Sequence, residues 1–243
     1  MRQALRRFVL ALTGAGLMAG CVAPGPPNAH LGAPGTEAMS ADQWMQTDFN
    51  RTVTVAMQAN LDSLYVLLDK LYKRNPREWR KSGRTDHASA VQAARLAIDM
   101  RTPPQDLVGL RDIELLAVSL DADYQGDRVF ALVYGLADTV ITAHNERTRI
   151  YAFDVLNGAH VYNAARNVEA AAWLLSSRRD VHGRPLLLAN EISPEFANLS
   201  FEREFGAVIG RLDLVSSLLG ENTRRLGINY AQNLLFFAFL PVR

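Results

Sequence analysis

RVFALVYGLADTVITAH, residues 128–144, is apolar on nearly every side. A run of this length with no strand-like alternation reads as a central helix, buried on most of its faces. Asp138 interrupts it, so it is not a membrane span. Other helices must surround it, and the sequence supplies them. Met57, Leu61, Leu64, Tyr65, Leu68, Leu71 and Tyr72 recur at intervals of three and four, which predicts an amphipathic helix over about Arg51 to Lys73 with Gln58, Asp62 and Asp69 on its polar side. Val161, Ala165, Val168, Ala172 and Leu175 repeat the rhythm, as do Phe201, Phe205, Val208, Leu212, Val215 and Leu219. Asn75-Pro-Arg-Glu78, Thr102-Pro-Pro-Gln105 and Ser193-Pro-Glu195 each offer a cap followed by proline, and so predict helix starts. RIYAFDVL (149–156) and PLLLA (185–189) are candidate strands, but neither alternates cleanly or has a hairpin partner. No tetratricopeptide-like period is present. The expectation is an all-α fold: a single compact multi-helix domain, a non-repeat helical bundle over residues 41–243, large enough to bury roughly 70% of its unfolded surface.

Ahead of this domain, residues 22–40 read VAPGPPNAHLGAPGTEAMS, a Pro/Gly-rich tether with almost no large apolar side chains. As a flexible coil it spans about 25 Å, and fully extended about 59 Å. Residues 1–20 combine the basic start Arg2, Arg6 and Arg7 with an apolar stretch from Phe8 to Met18 and the small pair Ala19 and Gly20, directly before Cys21. That is secretory signal anatomy, too short to span a bilayer. Cys21 is the only cysteine in 243 residues.

Meeting a lone cysteine at the cleavage point, LTGAGLMAGC (12–21) resembles the lipobox of bacterial lipoproteins. Met18 stands three residues before the cysteine, where that family usually has leucine. The resemblance implies that residues 1–20 are removed, that Cys21 is the lipid attachment site, and that two or three acyl chains hold the protein to a membrane. Val22 in place of aspartate implies sorting to the outer membrane, facing the periplasm. With its thiol acylated the chain has none left for a disulfide, so the domain must be stable by packing.

The whole chain carries 26 basic and 25 acidic residues, and without the three signal arginines its formal charge is −2. This excludes a global nucleic-acid signature. His30, His87, His144, His160 and His182 show no metal-ligand spacing, and no phosphate loop or nucleophile elbow is present. No metal, cofactor or catalytic residue is therefore assigned. Glu169, Glu202 and Glu204 are the carboxylates a cell-wall glycan hydrolase would draw on, and Asn163, Arg166 and Asn167 form a small polar helix face. Gly206 and Gly210 bracket a small-xxx-small ridge, expected where another helix crosses closely.

The strongest surface signal is KRNPREWRKSGR (73–84). Lys73, Arg74, Arg77, Arg80, Lys81 and Arg84 surround Trp79 with only Glu78 opposing them, a combination suited to an anionic lipid or an acidic envelope protein. The bland reading is a solvated connection with Trp79 in the core. NLLFFAFLPV (233–242) is expected to dock in the core. The leading expectation is a non-enzymatic scaffold or assembly factor, the alternatives being an apolar-ligand or lipid carrier and the hydrolase.

Overall fold

The central helix forms as Arg128–Ala143, and every residue in it except Phe130 is buried. The computed structural model describes residues 48–151, 154, 156–219 and 242. Among these are seven α-helices: α1 (Asp48–Arg74), α2 (Pro76–Lys81), α3 (His87–Asp99), α4 (Asp112–Ser119), α5 (Arg128–Ala143), α6 (Gly158–Ser177) and α7 (Ser200–Leu219). The described residues form an all-α single domain. Its one sheet among the described residues pairs β1 (Glu191–Ile192) with β2 (Ala197–Asn198), antiparallel. The signal segment, Cys21, the tether and all of the 233–242 run except Val242 lie outside the described residues. Val242 itself is fully buried in the core.

α5 packs against α1, α2, α3, α4 and α6, while α7 lies on α1 and α6. The apolar rows predict this arrangement: Met57, Leu64, Leu68 and Leu71 of α1, Val161 and Val168 of α6, and Phe201, Phe205 and Leu212 of α7 are all buried. At Gly135 a Cβ would stand 3.1–3.2 Å from Leu115 and Leu116, so α4 crosses α5 there at a distance only glycine permits without adjustment. No helix among the described residues is long and apolar enough to cross a membrane.

Three local expectations are corrected, and a fourth, the helix start at Asn75, holds without its side-chain cap. Thr102-Pro-Pro-Gln105 starts only a 3₁₀ turn, Gln105–Leu107, because Val108 already leaves helical geometry with ψ 128° and Gly109 follows at φ 97°; the helix begins at Asp112. Ser193-Pro-Glu195 is the hairpin turn between β1 and β2. There Ser193 N–H donates to the Phe196 carbonyl at 2.7 Å and Ser193 Oγ accepts from Phe196 N–H at 3.1 Å, which closes a turn rather than capping a helix. Asn75-Pro-Arg-Glu78 does begin a helix, α2, with Pro76 at its first position, but the Asn75 side chain does not cap it. Its amide reaches across the chain instead, donating to the Leu71 and Leu188 carbonyls and accepting from Leu188 N–H. A Cβ at Gly206 or Gly210 would meet nothing within 4 Å among the described residues, so no described helix crosses that ridge, and the glycines' cost of about 1 kcal/mol each in a helix has no packing offset there.

PLLLA forms no ladder among the described residues: Pro185 makes a single bridge to Arg179, and the chain bends at Leu186 and Leu187. Its burial alternates, with Leu187 and Ala189 inward and Leu188 outward.

His144 ends α5, buried, with Nδ1 2.8 Å from the Val140 carbonyl. Burial lowers its pKa, opposed in part by that backbone contact. The unfolded chain therefore takes up a proton near pH 6.5 that the folded chain refuses. Stability from this group is full above about 6.5 and falls as the pH drops below it, by up to about 1.4 kcal/mol per pH unit. Urea unfolding of His144→Leu between pH 5 and 8 should show a flatter acid limb than wild type. An unchanged limb would exclude His144 as its source.

Candidate functional site

Three separate parts of the chain meet to form a cleft of about 880 Å³. The first wall is the α1–α2 corner with Arg74, Arg77, Glu78 and Lys81; the second is the loop before α5, with Tyr124 and Arg128; the third is the turn carrying His182 and Arg184. Its volume lies within the range of small-ligand sites, and its walls are mixed in sign with arginine in excess.

Each wall is built by local chemistry. α1 ends at Arg74, where Lys73 and Arg74 oppose the negative end of the helix dipole, and the chain restarts in α2 with Pro76 at its first position. Asn75 pins this corner to the 185–189 segment through Leu188. In the second wall the buried Arg128 guanidinium donates to the carbonyls of Ser119 (2.6 Å), Asp121 (2.5 Å) and Tyr124 (2.8 Å), folding the loop around its own side chain. Gly126 lies where a Cβ would overlap the Tyr124 hydroxyl and the Asp106 carboxylate. Two carboxylates cap α5: Asp127 accepts from Phe130 N–H at 3.0 Å and Glu78 from Arg128 N–H at 2.8 Å. Asp127 also accepts from the Tyr72 hydroxyl at 2.7 Å, and burial raises its pKa.

The third wall is an aspartate-centred turn. Asp180 accepts from the backbone N–H groups of His182 (2.8 Å) and Arg184 (2.9 Å) and from Arg184 Nε (2.8 Å), while Gly183 takes φ 75°. Hydrogen bonding, led by the Arg184 backbone, holds the Asp180 carboxyl down to about 2. Val181 stands almost fully exposed at the tip.

The predicted basic run is divided by the fold. Arg74, Arg77 and Lys81 line the cleft. Lys73 pairs with Asp69 (2.6 Å), and Asp69 lines a second, smaller groove with His87, Arg95 and Asp99. Trp79 corrects the surface expectation: only 8% exposed, it belongs to the core, because α2 packs on α5 and turns the indole inward. Arg80 is exposed and lies over that indole, 5.1 Å from the ring centroid, and Arg84 is exposed farther along. Lys81 is held by Glu78 (2.8 Å) and the Gly126 carbonyl (2.9 Å), and Arg74 by Glu191 (2.7 Å). Arg77 is exposed and unpaired among the described residues.

The other candidates fall elsewhere. Glu204 is buried beside Arg203, Glu202 accepts from the Asn190 amide, and Glu169 pairs with Arg166, which also binds Asp213 of α7 at 2.6 Å. None of the three lines either cleft. Asn163 and Asn167 are buried on α6. Among the described residues no group of three or more His, Cys, Asp and Glu side chains is placed to hold a metal ion.

Sequence reasoning missed Arg128, His182 and Arg184. The Asp180–Gly183 turn signature was visible, but nothing local tied it to residues a hundred positions earlier. No protein-family model, curated protein or solved structure matches this chain.

Proposed function

We propose that this protein is a lipid-anchored component of the bacterial cell envelope, held in the outer membrane through Cys21, and that its helical domain is a non-enzymatic scaffold or assembly factor that docks an anionic partner in the cleft beside α2. The observation that carries this reading is the cleft, where arginines from three distant segments converge and Arg77 faces solvent without an ion pair among the described residues. The lipobox-like stretch and the Pro/Gly tether support it from the sequence side. Confinement to a surface raises the effective concentration of the domain toward neighbouring components, so weak electrostatic docking suffices.

Two measurements test it. Cys21→Ser should abolish incorporation of a radiolabelled fatty acid, leave the precursor uncut and release the protein from the membrane fraction; unchanged labelling would overturn the anchor. In intact envelopes, a photo-crosslinking residue in place of Val181, exposed at the cleft, should join the chain to a discrete partner, whereas the same residue in place of Asp62, exposed on α1, should not. Equal adducts from both positions would remove the cleft from the docking role.

A further inference from the structure

We infer that the cleft takes an extended acidic polypeptide segment, one carboxylate seated on Arg77 and a second displacing Glu191 from Arg74. This rests on the docking reading above and names the chemistry of its partner. The Arg74–Glu191 pair is the central observation. It is made through Nη2 alone, at 2.7 Å, and the buried Nε of Arg74 has no hydrogen-bond partner among the described residues. An arginine fork prefers two parallel bonds to one carboxylate, so this pair is half made. Glu191 is about half exposed and sits on a two-residue strand, which makes it an exchangeable stand-in for an external carboxylate. Arg184 differs, because its Asp180 is fixed by the turn it organises.

The rest of the lining favours a polypeptide over a phosphate group. Glu78, Asp123 and Asp180 are interspersed with the arginines in the lining, which suits a chain that spaces its carboxylates apart better than a compact multivalent anion. The exposed Val181 and Leu188 stand at the same cleft and offer apolar contact to the side chains between those carboxylates. A cleft of about 880 Å³ also far exceeds what one oxyanion fills.

The test uses the full chain in detergent at low salt, with a fluorescein-labelled Glu-Leu-Glu-Ala repeat peptide followed by anisotropy. Wild type should bind saturably, and the same peptide with Gln for Glu should not. Arg77→Ala should weaken binding about tenfold, the size of a lost charge-assisted hydrogen bond. Because Arg77 is exposed and unpaired among the described residues, this variant should fold, as circular dichroism will verify. Glu191→Gln removes the internal competitor and should tighten binding severalfold, while Asp62→Asn, the same charge change away from the cleft, should leave it unaltered. Equal binding by wild type and Arg77→Ala, or no gain from Glu191→Gln, overturns the inference. Inorganic phosphate and phosphatidylglycerol vesicles are run in parallel. Arg77-dependent binding of either, with none of the peptide, overturns the peptide assignment and leaves the docking reading standing. No binding of any of the three overturns both.

Discussion

Asp138→Ala should lower stability by about 3 kcal/mol, shifting the thermal midpoint down by roughly 6–12 °C for a domain of this size. Asp138 is the lone acid inside the buried central helix, and its carboxylate is almost wholly enclosed. It accepts from Arg111 Nε at 3.1 Å and Asp112 N–H at 2.8 Å, with Arg101 Nη2 at 2.7 Å. Glu146 closes the outer side, 2.9 Å from Arg111. Around this cluster Arg101, Asp112, Asn145 and Glu146 all have positive φ, between 36° and 60°, a backbone region that costs non-glycine residues about 1–3 kcal/mol each unless surrounding contacts hold it. Asp138 is the common anchor of the 101–112 connection, and Glu146 ties the turn after α5 to the same arginines. Both arginines are partly exposed, so water relieves some of their loss, and the figure sits at the low end for a broken buried pair. Asp138→Asn keeps the shape and an acceptor and should lose less. A midpoint for Asp138→Ala within 2 °C of wild type would show that the strained turns hold themselves.

The second large effect is expected from Arg128→Met. Methionine keeps an unbranched apolar stem but removes the guanidinium that gathers the carbonyls of Ser119, Asp121 and Tyr124. Hydrogen bonds to a charged group are worth about 1.5–3 kcal/mol, and the loop regains water once released, so the net loss should be about 2–3 kcal/mol. The change should also be local. α5 keeps its two capping carboxylates, because Glu78 binds the Arg128 backbone and not its side chain. Urea unfolding gives the stability, and limited proteolysis under native conditions should show faster cutting between residues 119 and 127. A variant that loses stability without faster cutting would mean that Arg128 supports α5 rather than the loop, and that the second wall of the cleft has another support.

Much of the helical core was legible because helix periodicity is a local code. Residues three and four apart share a face whatever the rest of the chain does, so Met57 to Tyr72, Val161 to Leu175 and Phe201 to Leu219 declared their buried sides directly. Caps were less legible. Ser193 and Asn75 have the right chemistry for a helix start, but their side chains satisfy whichever backbone groups the fold brings near. Here those belong to a hairpin turn and to Leu188.

The candidate site divides in the same way. By itself the sequence determined the all-α class, the apolar central helix, the lone cysteine in its lipobox-like setting and the concentration of basic residues at 73–84, because each of these is a property of neighbours along the chain. Only the tertiary structure decided which of those cations face a common space. It turned Trp79 into the core, tied Lys81 to the Gly126 carbonyl and Arg74 to Glu191, and brought Arg128 and Arg184 to the side of Arg74 and Arg77. The physical reason is that a cleft is made by elements distant in sequence, held together by long-range bonds such as Asn75 to Leu188 and Glu78 to Arg128, and no periodicity records contacts 113 or 50 residues apart.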